Sequence, residues 1–181
     1  MPSGVFYRQV VRVVRRPGTQ YDGVLTLDRQ IFQCQIGRSG VTHVKREGDG
    51  ASPAARMSLL ELRYRADRVS RPPGWFGQRA RAIMGDDGWC DDVGLPARYN
   101  RPVNLPFAGS HEEMARADHL YDIVGILDWN VTRRSLHRGS AIFLHQSRDD
   151  RGPTAGCIAL TPHDLGLLLE RLRPGVVFEI A

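Results

Sequence analysis

The chain has 181 residues, of which 41% are hydrophobic and 25% are charged, a balance that predicts a single domain over residues 1–181 with its own apolar core. No run of residues approaches the roughly 20 apolar positions of a membrane-spanning helix, so the sequence excludes such a span. The net charge is +5, and nearly all of the positive charge is arginine because Lys45 is the only lysine.

The basic charge has three interpretations. Arginine binds carboxylates through two parallel hydrogen bonds, which suits an acidic substrate. An excess of arginine over lysine also follows genome base composition and then has no functional meaning. Nucleic acid is the third class of partner, but Arg12, Arg15 and Arg16 are interspersed with valines as in an amphipathic strand, without interleaved aromatic residues. The sequence therefore predicts no nucleic-acid partner.

The first part of the chain is predicted to form strands. Residues 5–14 and 23–36 alternate or carry β-branched side chains, and residues 38–40 have the composition of a turn between strands. The start, residues 1–7, lacks a basic segment followed by an apolar run. No signal peptide is therefore visible in this chain.

The middle of the chain is less regular. Residues 57–69 have two interpretations, and we prefer a strand with Leu60, Leu62 and Tyr64 on one face. The glycine- and proline-rich stretch at about 68–118 predicts an insertion-like loop region, and long loops are often functional.

A short helix is predicted near the end of this stretch. Ser110 and Glu113 have the spacing of a capping box, in which each residue satisfies a backbone N–H of the first helical turn. Residues 121–127 and 140–144 are short apolar runs, and they predict two central strands.

The C-terminal segment predicts a helix and a last strand. Thr161 has the position of an N-cap, Pro162 lies in the first turn, and several leucines supply a buried side. The helix is expected to end at residues 173–175, and residues 176–180 are expected to form the last strand.

The candidate chemistry lies between two of these apolar runs, where His145 ends one and Cys157 begins the next. A thiol that attacks a carbonyl needs a base within hydrogen-bond reach and backbone N–H groups that face the developing oxyanion. Two adjacent strands would bring both residues to the same edge of a sheet. The alternative is a buried structural cysteine, since cysteine is a common core residue. The polar loop 148–152 and the turn residues Thr154 and Gly156 favour the catalytic interpretation.

The other cysteines leave two alternatives open. Cys34 and Cys90 are bridged to each other, as an exported protein would allow, or they are two separate buried thiols. No cysteine or histidine pair has the spacing of metal ligands, so neither a metal nor another cofactor is predicted.

These segments resemble the L,D-transpeptidase (YkuD) catalytic domain family over about residues 10–181. The most specific match is a histidine, a variable loop and then the run Thr-Ala-Gly-Cys-Ile at residues 154–158. The other matching segments follow in the order that the family shows, and they are Gly-Asp-Gly-Ala-Ser-Pro-Ala at 48–54, Tyr-Asp-Ile-Val at 121–124, Trp-Asn at 129–130 and Gly-Ser-Ala-Ile-Phe-Leu-His at 139–145.

The resemblance implies a mainly β fold, a β-sandwich or barrel-like structure with a few short helices, one of them near the C-terminus. It implies a peptidoglycan L,D-transpeptidase in which the Cys157 thiolate attacks a donor stem peptide, with His145 as the base and Gly156 in the oxyanion hole. An amine of a second stem peptide would resolve the thioester and cross-link the cell wall. The candidates for contact with the substrate are Thr154, Ala155, Tyr121, Trp129 and Arg148, of which the last three are equally well explained by packing or solvation.

Two positions depart from the family. Ala155 stands where many members carry a second histidine or another polar residue, and Ala159 stands where many carry arginine. Two alternatives remain, an L,D-carboxypeptidase or amidase that hydrolyses wall peptides through the same thioester, and a non-catalytic wall-binding domain. The family implies a periplasmic or cell-wall location. The acceptor, the donor centre, the export route and the oligomeric state are not determined by the sequence.

Overall fold

The computed structural model of the protein describes residues 8–181, so the part of the first predicted strand before residue 8, and the chain start itself, lie outside the described residues. Strands dominate, and within residues 8–181 they are β1 (Val10–Arg15), β2 (Asp22–Leu27), β3 (Gln30–Gln35), β4 (Val41–Thr42), β5 (Ser52–Pro53), β6 (Arg56–Tyr64), β7 (Arg81–Ala82), β8 (Asp87–Cys90), β9 (Arg101–Asn104), β10 (His111–Glu113), β11 (Ile123–Leu127), β12 (Phe143–Gln146), β13 (Ile158–Leu160) and β14 (Val177–Ile180). The helices are α1 (Gly74–Gln78) and α2 (Pro162–Arg171).

The main sheet closes on itself. Its strand order is β11-β12-β13-β3-β2-β1-β14-β6-β7, and β11 also pairs with β6. Because β6 is long, its start pairs with β14 and its second half pairs with β11. Eight strands therefore form a barrel-like sheet, in which closure leaves few unpaired edges. The predicted mainly β, barrel-like fold with a few short helices, one of them near the C-terminus, is confirmed.

The interior of the barrel is an apolar core. Alternate residues of its strands point inward, as the two-residue period of a strand requires. Val11, Val13, Leu25 and Leu27 are at most 1% exposed, and Cys34 lies among them on β3. The β2–β3 pair also shows that the predicted stretch 23–36 is a hairpin that turns between Leu27 and Gln30.

One prediction about β6 is wrong. Leu60 was expected to share a face with Leu62 and Tyr64, but it is 41% exposed whereas the other two are buried. The pairing with β11 shifts at this point, because Ile126 pairs with Glu61 and Leu127 pairs with Leu59. Leu60 is therefore the extra residue of a β-bulge, which changes the alternation of side chains.

The stretch predicted as an insertion-like loop contains regular structure. It holds α1 and β7, and then a three-stranded antiparallel sheet in the order β10-β8-β9. The predicted helix at Ser110 is wrong, since His111 and Glu113 belong to β10 and pair with Cys90 and Gly88 of β8. The hydrogen bonds of a neighbouring strand therefore outweigh a capping-box spacing, which acts only within one helical turn.

The C-terminal prediction is confirmed in its main features. The Thr161 hydroxyl accepts a hydrogen bond from the Asp164 amide at 3.1 Å, as an N-cap does. Leu165, Leu168 and Leu169 are fully buried against the barrel core. The strand β14 follows and pairs in parallel with β1.

Two further expectations concern cysteines and membranes. All three cysteines are buried free thiols, so Cys34 and Cys90 are not bridged to each other. Within residues 8–181, neither helix has the length and apolar character needed to cross a bilayer.

Candidate active site

The strands β12 and β13 bring His145 and Cys157 to the same face of the sheet. They run in parallel, with Leu144 opposite Ile158 and His145 opposite Ala159. Leu144 and Ile158 point into the barrel core. Because side chains alternate along a strand, the residues next to them point outward, and Cys157 accordingly belongs to a second apolar cluster on the outer face.

This second cluster is the layer between the barrel and the three-stranded sheet. It consists of buried side chains from β8, β11 and β12 and from the segments that flank β7, β10 and β11, namely Ile83, Trp89, Met114, Leu120, Tyr121, Val124, Ile126 and Phe143, together with Cys157. The small sheet therefore covers part of the barrel wall that carries the cysteine.

A cavity of about 360 Å³ opens beside this cluster. His145 and Cys157 both line it, as do Thr154, Ala155, Tyr121 and Arg148 among the residues predicted to contact a substrate. The cavity wall also carries charged side chains, which are Arg38, Lys45, Glu47, Asp91, Glu112 and Arg116. The structure thus brings together most of the predicted site residues.

Trp129 is the exception among the predicted contact residues. It lines a separate cavity of about 240 Å³ together with His43 and Arg138. Its ring packs against the barrel core, and its indole N–H donates to the Arg138 carbonyl at 2.8 Å. Packing and a backbone hydrogen bond account for Trp129, which is the alternative that the sequence left open for it, and Trp129 does not line the cavity beside Cys157.

The orientation of His145 is fixed by its own neighbour in the chain. The Nδ1 atom lies 2.7 Å from the Gln146 carbonyl oxygen, which can only accept, so Nδ1 carries the proton. The other ring nitrogen, Nε2, then has a free lone pair. Tyr121 packs edge-on against the imidazole, with 5.4 Å between the ring centres. Burial lowers the pKa of His145 to about 4, so the ring is neutral at pH 7.

The Cys157 sulfur has two backbone neighbours. The thiol donates to the Ala141 carbonyl at 3.2 Å, and the Phe143 amide points at the sulfur from 3.4 Å. Burial raises the pKa of Cys157 to about 12, and the Phe143 amide only partly opposes that effect. At rest, Cys157 is therefore a neutral thiol and His145 a neutral imidazole.

The turn before the cysteine is held by two hydroxyl groups. Thr154 Oγ1 donates to the Cys157 carbonyl at 2.7 Å and accepts from the Gly156 amide at 3.1 Å. Ser52, fully buried, donates to the Gly156 carbonyl at 2.8 Å and accepts from the Gly37 amide at 3.0 Å. The Gly156 amide is thus already bonded, contrary to the expectation that it faces the oxyanion.

Gly156 has a structural requirement of its own. Its φ is +140°, and a Cβ atom there would lie 2.8 Å from the Ala51 carbonyl oxygen. A side chain would push the turn away from the segment that carries Ser52. Gly156 therefore shapes the turn that presents Cys157.

The segment 48–54 lies at the same cavity, where Asp49 forms several hydrogen bonds. The Asp49 carboxylate accepts hydrogen bonds from Lys45 Nζ and from the Arg46 and Ala51 amides. These bonds outweigh the partial burial of Asp49 and hold its pKa below the usual value. Lys45 is 3% exposed, so the only lysine is a buried ion-pair partner at the cavity wall.

Apart from Arg148, the charged cavity residues were not predicted from the sequence. Glu112 lies in the segment interpreted as a helix, and Glu47 and Lys45 gave no signal beyond their proximity to the segment 48–54. Across residues 8–181, no group of three histidine, cysteine, aspartate or glutamate side chains is arranged to hold a metal ion.

Comparisons with known proteins bear on the identity of the chain. The family model of the L,D-transpeptidase catalytic domain, YkuD, matches residues 10–180. A search of the curated proteins gave no match. Among solved structures, L,D-transpeptidase 1 of Mycobacterium tuberculosis aligns with a TM-score of 0.40 and 9% identity, over 95% of this chain and 62% of that chain. The chain thus spans less than two thirds of that protein. Because the family model covers nearly the whole chain, this protein belongs to the L,D-transpeptidase catalytic domain (YkuD) family.

Proposed function

We propose that residues 10–180 act as one catalytic domain, a peptidoglycan L,D-transpeptidase that works through a thioester on Cys157. The observation that carries this proposal is the placement of Cys157 and His145 on one face of the sheet, at the wall of a single cavity. The barrel interior offers no such opening to Cys34, which is 0% exposed.

The first half-reaction would transfer the donor acyl group to the sulfur. His145 Nε2 takes the thiol proton as the sulfur bonds to the donor carbonyl carbon. The carbon–nitrogen bond to the terminal residue of the stem then breaks, and His145 returns the proton to the departing amine. A neutral imidazole is the correct starting form for this cycle, and burial keeps His145 in that form at neutral pH.

The negative charge on the carbonyl oxygen needs N–H donors at the turn. The Gly156 amide is already bonded to Thr154. We therefore assign the oxyanion hole to the amides of Cys157 and Ala155, and we assign to Thr154 the task of holding the turn in shape. Preorganised donors of this kind are effective because they need no rearrangement during the reaction.

The cavity rim supplies the cations that an acidic stem peptide needs. Arg38 and Arg148 are exposed and line the cavity beside the cysteine turn. A guanidinium group can bind a carboxylate through two parallel hydrogen bonds. In this proposal they replace the arginine that is absent at Ala159, and the protein acts at the cell wall, in the periplasm or an equivalent compartment.

The test is an incubation of the purified protein with muropeptides, followed by separation of the products by mass. Cross-linked dimers are expected from the wild type and are expected to be absent with Cys157→Ala. Shortened monomers without dimers would instead identify a carboxypeptidase that resolves the same thioester with water. If neither dimers nor shortened monomers form, the result contradicts catalysis. The remaining alternative is then a non-catalytic wall-binding domain.

A further inference from the structure

Glu112 is a carboxylate on the cavity wall that the acylation step does not use. It lies on β10 of the small sheet and lines the same cavity as Cys157 and His145. The Tyr121 hydroxyl donates to Glu112 Oε2 at 3.3 Å, and the Tyr121 ring packs against His145. One third of the Glu112 side chain, 33%, stays exposed. The carboxylate is therefore both near the reacting pair and open to an incoming molecule.

The surroundings of Glu112 make it a better base than an ordinary carboxylate. Burial raises the pKa of Glu112, and the Arg116 guanidinium, 3.6 Å away, opposes that shift. Arg116 is also held by Asp118 through two hydrogen bonds, which divides its charge between two carboxylates. The titratable and charged groups that face Glu112 are Asp91, Arg116, Asp118, Tyr121 and Cys157.

Asp91 adds an independent observation on the same wall. Its Oδ1 atom is buried and has no hydrogen-bond partner among the described residues, and Asp91 lines the cavity. An unpartnered buried carboxylate oxygen is costly unless a donor reaches it. Asp91 also raises the pKa of Glu112 by charge repulsion, so the two carboxylates lie close enough to attract one cation to this wall.

In the second half-reaction, two protons must leave the nitrogen of the acceptor. An alkyl amine is an ammonium ion at neutral pH, and it cannot attack a thioester until it loses a proton. A second proton must leave nitrogen as the amide forms, and His145 can pass that one to the departing sulfur. Ala155 has no side chain that can take the first proton, so another group has to accept it.

We propose that Glu112 is the base that deprotonates the acceptor ammonium, with Asp91 helping to hold it in the cavity. This inference rests on the proposed function. The ammonium gives one proton to the Glu112 carboxylate, and the free amine then forms a carbon–nitrogen bond to the thioester carbonyl. The carbon–sulfur bond breaks, and the second amine proton reaches the sulfur through His145. Glu112 finally releases its proton to solvent, which restores both residues.

The test compares two acceptors that differ in protonation. The acyl-enzyme is formed from a donor stem tetrapeptide and is offered either an alkylamine, which is protonated at neutral pH, or hydroxylamine, which is neutral. With Glu112→Gln, transfer to the alkylamine is expected to slow by about a hundredfold, the lower range for a lost general base. Transfer to hydroxylamine is expected to be unchanged, because this acceptor brings no proton that must be removed first.

The matched control is Glu113→Gln, an exposed carboxylate on the same strand, and it is expected to keep wild-type rates with both acceptors. Formation of the acyl-enzyme by Glu112→Gln shows that the variant is folded. Undiminished transfer to the alkylamine would overturn the role of Glu112, and so would an equal loss with hydroxylamine. Failure of the wild type to form any acyl-enzyme would instead overturn the proposed function.

Discussion

The barrel interior and the cavity on its outer face each contain a buried cysteine. Cys34 is 0% exposed and Cys157 is 7% exposed, and burial raises the pKa of each thiol to about 12. Cys34 lies opposite Gly23 on the neighbouring strand, and a Cβ atom at Gly23 would lie 2.8 Å from its sulfur. Cys157 instead has backbone partners for its sulfur and lines a cavity with His145.

Burial and a raised pKa are therefore shared by a packing cysteine and a candidate nucleophile. What distinguishes Cys157 is a histidine on the adjacent strand and an open cavity that both residues line. In the proposed reaction the thiol proton is removed during attack, since a thiolate is not the resting form. The comparison between the two thiols can be tested in three ways.

The largest difference is expected in covalent labelling by a carbapenem, a reagent that acylates a catalytic thiol. The wild type and Cys34→Ala are expected to gain the mass of one carbapenem, and Cys157→Ala is expected to gain none. Intact-protein mass spectrometry followed by peptide mapping measures this. An adduct that persists in Cys157→Ala would remove the distinction between the two cysteines.

The next difference concerns the base. His145→Ala is expected to slow carbapenem acylation of Cys157 by about a hundredfold or more, since a positioned general base contributes that much. The time course of adduct formation measures the rate. His163→Ala, at an exposed position at the start of α2, serves as the control and is expected to leave the rate unchanged. Equal rates in both variants would show that His145 is not the base.

The smallest expected effect is a loss of folding stability at alkaline pH, to which both thiols are expected to contribute. In the unfolded chain each thiol loses its proton near its ordinary pKa of 9.0, whereas in the fold it keeps the proton up to about 12. The unfolded state therefore binds fewer protons above pH 9, and the stabilisation present below that pH is lost as pH rises. Each thiol is expected to contribute a decline of about 1.4 kcal/mol per pH unit in the free energy of unfolding.

Urea unfolding at several pH values above 9 measures this decline, and the slope is compared between variants. Cys34→Ala and Cys157→Ala are each expected to be less sensitive to alkaline pH than the wild type. A change in slope for Cys34→Ala alone would indicate that water already solvates Cys157 in the folded state.

The small sheet over the cavity is a region where the sequence pattern predicted the wrong structure. Ser110 and Glu113 have capping-box spacing, yet the segment is β10 because β8 offers it a neighbouring strand. The same error concealed Glu112, whose side chain reaches the cavity only from a strand in this place. Leu60 was misplaced for a related reason, since a bulge is a property of two paired strands.

Local information was sufficient elsewhere. The sequence by itself determined the strands of the barrel and the cap of α2 at Thr161, and it singled out His145 and Cys157 as candidates, because side-chain alternation, capping and turn residues act over a few neighbouring positions. Only the tertiary structure decided how the barrel closes, which carbonyl orients His145 and which carboxylates reach Cys157. Those features depend on hydrogen bonds and burial between segments far apart in the chain, which no local pattern records.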